Sequence, residues 1–154
     1  MITWKQAFRE GLVSGSLASL LSAAWLVLAG DRLDRPAAPL NAVSHWMFGC
    51  RALQQDGPSF QYTATGYLVH HACSVFWAVL HARVWGARPE AKQPLPALAG
   101  AVATAAVASL VDYQLTPKRL TPGFEHRLGR PQILNVYACF ALGLAIGSVL
   151  MRKR

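Results

Sequence analysis

His70, His71 and Asp112 are ionisable side chains set inside otherwise apolar runs of a 154-residue chain. At mid-membrane such groups cost roughly 2.5–3.5 kcal/mol each on insertion scales, so each asks for a partner or a task. An Asp–His pair in a water-lined pocket can handle a proton or a small cation. The same groups, joined by His45, His71 or His126, could give a catalytic zinc three protein ligands and leave one position for water. Spacing argues against that use, because no helix carries H-x-x-x-H or H-E-x-x-H. A haem would need axial histidines on two facing helices, and only one apolar run holds any. The plainer expectations are that Asp112 pairs with a loop arginine or with His70 to fix the helices, that His70 and His71 are hydrogen-bonded near an interface, and that His45 and His126 are solvated.

Composition dictates the scaffold that carries these groups. Hydrophobic residues make up 53% of the chain and charged residues 14%, against roughly 25% charged in an average soluble domain. That excludes a disordered chain and a soluble multidomain enzyme. The apolar residues gather into four stretches, 11–30, 66–86, 96–115 and 133–151, each about the twenty residues a helix needs to cross the hydrocarbon. The expected fold is all-α, a polytopic membrane protein built as one four-transmembrane-helix bundle over residues 1–154. The first stretch is longer than a signal-peptide core and no A-x-A-like site follows it, so it reads as an uncleaved helix. In the long loop after it, Asn41 can cap a short interfacial helix through Leu53, with Val43, Trp46, Met47, Cys50 and Leu53 at helical spacing.

Four spans put both termini on one side, with Lys5, Arg9, Arg83, Arg88, Lys92, Arg152, Lys153 and Arg154, eight of the fifteen basic residues. The other side holds seven, spread over longer loops that also carry Asp31, Asp34, Asp56 and Glu125. The compact terminal cluster and the tight 83–92 loop favour termini inside, although the near-parity also permits dual topology. Either way His70, His71, Asp112 and Asn135 converge near one boundary, with His45, Glu125 and His126 above them. His81 lies ~16 Å deeper along its helix and is expected to snorkel to the opposite headgroups.

Packing should rest on small residues: Gly11, Gly15, Ser19 and Ala23, with Ser14, Ala18 and Ser22 beside them; Gly100, Thr104, Ala108 and Asp112; and Asn135, Cys139, Gly143 and Gly147. Three cysteines, Cys50, Cys73 and Cys139, close no disulfide framework and read mainly as small buried hydrophobes. The net charge of +8 fits contact with anionic lipid headgroups rather than nucleic acid, for which no basic, aromatic-lined soluble face exists. Two Leu-Thr-Pro repeats, at Leu115–Pro117 and Leu120–Pro122, stop the chain from continuing as helix. Lys118 and Arg119 between them could hold an anion such as a lipid phosphate.

The run His70-x-x-x-Ser74-x-x-Trp77-Ala78, followed one span later by the Leu115-Thr116-Pro117 turn, resembles the YagU-like bacterial inner-membrane proteins over the middle third of the chain. The resemblance implies a bacterial inner membrane and a loose association with acid tolerance, and no defined activity. Together these residues point to a small-ligand or ion-binding accessory or carrier component with an outward-facing polar pocket. Asp112 and His70 would line it, His71 and Asn135 would support it, and Lys118 and Arg119 would meet phosphate. A membrane-embedded, metal-dependent lipid hydrolase using His70, Asp112, His45 and His126 is one alternative. A structural subunit docking a second copy or a larger membrane complex is another.

Overall fold

The first helix begins well before its apolar core. Thr3 caps it by accepting from the Gln6 N–H at 3.2 Å, while the Gln6 side-chain oxygen accepts from the Thr3 N–H at 3.0 Å, a reciprocal capping box. From that start α1 runs unbroken over Trp4–Asp31. The computed structural model describes residues 2–151, so the expected basic cluster of Arg152, Lys153 and Arg154 lies outside the described residues. Two short helices come next, α2 (Ala38–Val43) and α3 (His45–Phe48), then α4 (Thr65–Val84), α5 (Pro94–Leu110) and α6 (Arg130–Leu150). Single turns of π-helix lead into α4 at Phe60–Ala64 and out of α5 at Val111–Leu115. No strand occurs among the described residues.

Each expected span is thus a long helix, shifted by a few residues at its ends. Three segments, Trp4–Asp31, Pro94–Leu115 and Arg130–Leu150, are long and apolar enough to cross a membrane. Helix α4 has twenty residues, but His70, His71, His81 and Arg83 dilute its hydropathy.

Size sorts the residues between inside and outside. Alanine, serine and glycine fill most of the core, including Ala18, Ala78, Ala97, Ala101 and Ser19, all fully buried, with Leu26 and Leu144 among the few large side chains inside. Leucine, valine and phenylalanine point outward on all four long helices, as at Leu20, Phe76, Val102 and Leu142. That is the arrangement of helices associating in lipid, where backbones approach across small residues. Helix α1 packs on two partners at once. Its Gly15 lies against α4, where a Cβ would stand 2.7 Å from the Val75 Cα. On its other stripe, Gly143 of α6 lies against Ala18, where a Cβ would stand 2.5 Å from the Ala18 Cα. Helix α5 completes the set by packing on α6.

The loop between α1 and α4 departs from the expected interfacial helix over Asn41–Leu53. The segment is split between α2, α3 and a 3-10 turn at Gly49–Gln54, and every residue of α2 is buried. Asn41 caps nothing. Its amide donates to the Gln55 and Gly57 carbonyls at 3.0 and 2.8 Å, and its side-chain oxygen accepts from the Thr63 hydroxyl at 2.6 Å. A buried amide with all these bonds made draws the chain inward instead of letting it lie flat on the bundle.

The 116–129 connection folds down as a roof over one end of the bundle. Trp46 of α3 donates to the Thr121 carbonyl at 2.9 Å. Arg127 donates to the Leu53 carbonyl at 2.6 Å and pairs with Asp56, which also faces Arg35. Gly123 turns the roof at φ +92°, pressed on the Ala42 carbonyl and the His45 ring, a conformation and a space closed to other residues. At the opposite end Glu10 of α1 pairs with Lys92.

Candidate functional site

Helices α4 and α5 form a V. At its closed end the Trp85 indole lies against Gly100, and the His81 Nδ1 meets the Thr104 hydroxyl at 2.8 Å. His81 is 4% exposed and its Nε2 also lies 3.5 Å from the Ser148 hydroxyl of α6. This corrects the expectation that His81 snorkels to headgroups: hydroxyls on two neighbouring helices satisfy it inside. From there the helices diverge towards the roofed end.

A cavity of about 450 Å³ fills the divergence, within the usual range of small-ligand sites. Helix α4 contributes His70, Cys73, Phe76 and Trp77, and α5 with its π turn contributes Ala108, Val111 and Asp112. Helix α6 adds Val136, Tyr137 and Phe140, and α1 adds Ser22. Trp46, Leu120, Pro122 and Phe124 close the top. Most of this wall is hydrocarbon; the Ser74 and Thr116 hydroxyls are spent on carbonyls of their own helical segments, and the other hydrogen-bonded polar side chains come as two pairs.

The first pair joins His70 Nε2 to the Ser22 hydroxyl at 2.8 Å. Ser22 also donates to the Ala18 carbonyl at 2.8 Å, as helical serines do. Assigning that proton to the Ala18 carbonyl makes the imidazole the donor to Ser22 and leaves Nδ1 as a lone-pair acceptor. In the second pair the Tyr137 hydroxyl donates to Asp112 Oδ2 at 2.6 Å. Asp112 is therefore bound to Tyr137, and not to His70 or to a loop arginine. The geometry is not that of a Ser–His–Asp triad, in which the carboxylate orients the histidine.

Asp112 follows Ala108 onto the wall at four-residue spacing, and the π turn shapes the chain beyond it. Thr116 donates both its N–H and its hydroxyl to the Val111 carbonyl at 2.9 Å. The extra residue in this turn rotates the next part of the chain, so that Thr116 lines the cavity and Leu115 is 70% exposed.

Of the residues expected to form a pocket, the fold brings together His70 and Asp112. His71, about 100° further round α4, turns away, and its ring packs on Tyr67 at 5.8 Å. Asn135 is exposed on the outer face of α6, and α6 presents Tyr137 in its place. Lys118 and Arg119 are exposed on the roof's outer surface and point at no cavity wall. Nor do the expected zinc ligands assemble. His45 is buried beneath the roof with Nδ1 on the Ala42 carbonyl at 2.8 Å, and His126 is half-exposed beside Glu125. Among the described residues no three His, Cys, Asp or Glu side chains gather closely enough to hold a metal ion. Cys50, Cys73 and Cys139 are free thiols, of which Cys73 stands on the cavity wall.

Sequence reasoning misses Ser22 and Tyr137 as site residues. Its small side chain marks Ser22 for helix packing, which it also serves. The phase of α6 carries a signal for Tyr137, since Val136, Phe140, Gly143 and Gly147 mark the inward stripe next to it. Comparison with protein-family models, with curated proteins and with solved structures finds no match.

Proposed function

We propose that the chain is a multi-pass protein of the bacterial inner membrane, with four helices spanning and both termini cytoplasmic, that binds a small ligand in the cavity between α4 and α5. It would act as an accessory or carrier component. The observation that carries this reading is a mostly apolar cavity whose wall holds two separate polar pairs, Ser22–His70 and Asp112–Tyr137. Sites for small organic ligands have that make-up, an apolar body with a few placed polar groups.

The sorting of residues on α4 supports a fourth span. Leu68, Ala72, Phe76 and Val84 form its exposed stripe, while His70 and His81 bond inward to neighbouring helices. Lys118 and Arg119, exposed and without an ion pair among the described residues, are well disposed to touch lipid phosphates. An apolar wall favours an organic ligand over a bare ion, whose charge would need more polar partners than the two pairs offer.

Native mass spectrometry of gently extracted protein tests the proposal. A small molecule should co-purify with the full chain and be lost in His70→Ala and Asp112→Ala variants that retain their helical content. A chain that is ligand-free and unshifted in thermal stability across a diverse compound set would overturn it. Elemental analysis of the same sample should give far less than one metal per chain; stoichiometric zinc would reverse the preference for an organic ligand.

A further inference from the structure

We infer that the occupant of this cavity is a single-chain lipid bearing a hydroxyl group, and that it arrives sideways from the membrane through the open arms of the V. The inference rests on the cavity being a ligand site, as proposed above, and adds the ligand's class and route.

The route is set by which walls are tied. The roof is pinned by Trp46 to Thr121 and by Arg127 to Leu53 and Asp56. The base of the V is held by His81 on Thr104 and by Trp85 against Gly100. Between α4 and α5 above that point no hydrogen bond crosses among the described residues. The exposed members of the cavity lining mark the mouth: Ala72, Phe76 and Leu120, the last two 57% and 41% exposed. All three are apolar. A mouth rimmed by hydrocarbon offers an ion or a sugar no replacement for its water, whereas a lipid chain crosses it without desolvation cost.

The ligand's polar group is dictated by the lone pairs the wall leaves unused. Tyr137 occupies one oxygen of Asp112, and Oδ1 has no protein partner among the described residues. With His70 donating to Ser22, its Nδ1 is likewise an acceptor. Both polar pairs therefore present lone pairs to the cavity, which a hydroxyl can satisfy as donor. Trp77 and Phe140 supply the surface for an acyl chain.

Cys73 on the wall provides the readout. The full chain carrying Cys50→Ser and Cys139→Ser, in phosphatidylcholine nanodiscs, is treated with an apolar and with a permanently charged thiosulfonate reagent. The apolar reagent should modify Cys73 and the charged one should not. Hexadecanol at ten times its Kd should slow the reaction about tenfold, and Asp112→Ala should abolish that protection. Should Asp112→Ala misfold, Ala72→Trp at the mouth should block the apolar reagent while the helical content is unchanged. Equal reaction with both reagents would mean an aqueous route and overturn the inference. Reaction without protection by hexadecanol would overturn the hydroxyl lipid as occupant and leave the cavity as a site for something else. If neither reagent reaches a thiol that reacts normally after unfolding in detergent, the ligand-site reading itself falls with the inference.

Discussion

The two sides of α4 are built on opposite plans. Towards α1, glycine and alanine bring backbones into contact: Gly15 sits on Val75, and Ala78 is fully buried. Towards α5, the same helix presents Cys73, Phe76 and Trp77 across a gap of about 450 Å³. Both faces are apolar, so hydrophobicity does not separate them. Side-chain size does. Small residues let helices close on each other, and large ones hold them apart and leave a space that the remaining walls shape. The bundle thus has one side that carries its stability and one that is available to bind.

That contrast can be broken most severely by enlarging a residue on the closed side. Gly143→Leu drives a side chain into the Ala18 backbone, and overpacking against backbone that cannot yield should cost more than about 3 kcal/mol. Thermal unfolding in detergent should show the variant largely unfolded. A middling effect is expected at the hinge of the V. His81→Ala removes the tie from α4 to Thr104 and Ser148 and leaves a small void, for a loss of about 2 kcal/mol. A lowered midpoint with helical content retained is the expected result; no change would mean that α4 and α5 are held by something else. The smallest effect should come from the open side. Ala108→Leu replaces a methyl with an isobutyl group on the cavity wall, so stability should move by less than about 1 kcal/mol while ligand protection of Cys73 weakens. Equal damage from Ala108→Leu and Gly143→Leu would erase the distinction between the two sides.

Much of the helical framework is legible in the residues because apolar runs of twenty leave few options for the backbone. Gly143 and Gly147 are legible as close-packing positions, and Gly15 likewise. The rotation of each helix is harder to read. Four-residue spacing groups Asn135, Cys139, Gly143 and Gly147 on one face, but each such step drifts by about 40° on a 3.6-residue helix. Over twelve residues the drift is about 120°, enough to carry Asn135 off the buried face and leave Tyr137 as the partner of Asp112. His70 and His71, adjacent and so about 100° apart round α4, could not both face one cavity. The π turn after α5 is a second kind of obstacle. It changes the phase of the helix within five residues, and no composition rule signals where a chain will insert it. Likewise the loop from 32 to 64 is organised by a single buried amide, Asn41, whose three partners come from distant turns.

The double-sided packing of α1 has a consequence for synthesis. Of these four long helices α1 leaves the ribosome before the others, and its two smooth faces are covered by α4 and α6, of which α6 is made after α4 and α5. One stripe, Ser14 and Ala18, must therefore wait through the insertion of everything between before Gly147 and Gly143 arrive to cover it. During that interval α1 is a ready partner for any other helix with a small-residue face. This close-packed seam is thus sewn late, and a stalled chain is exposed to mispairing along it.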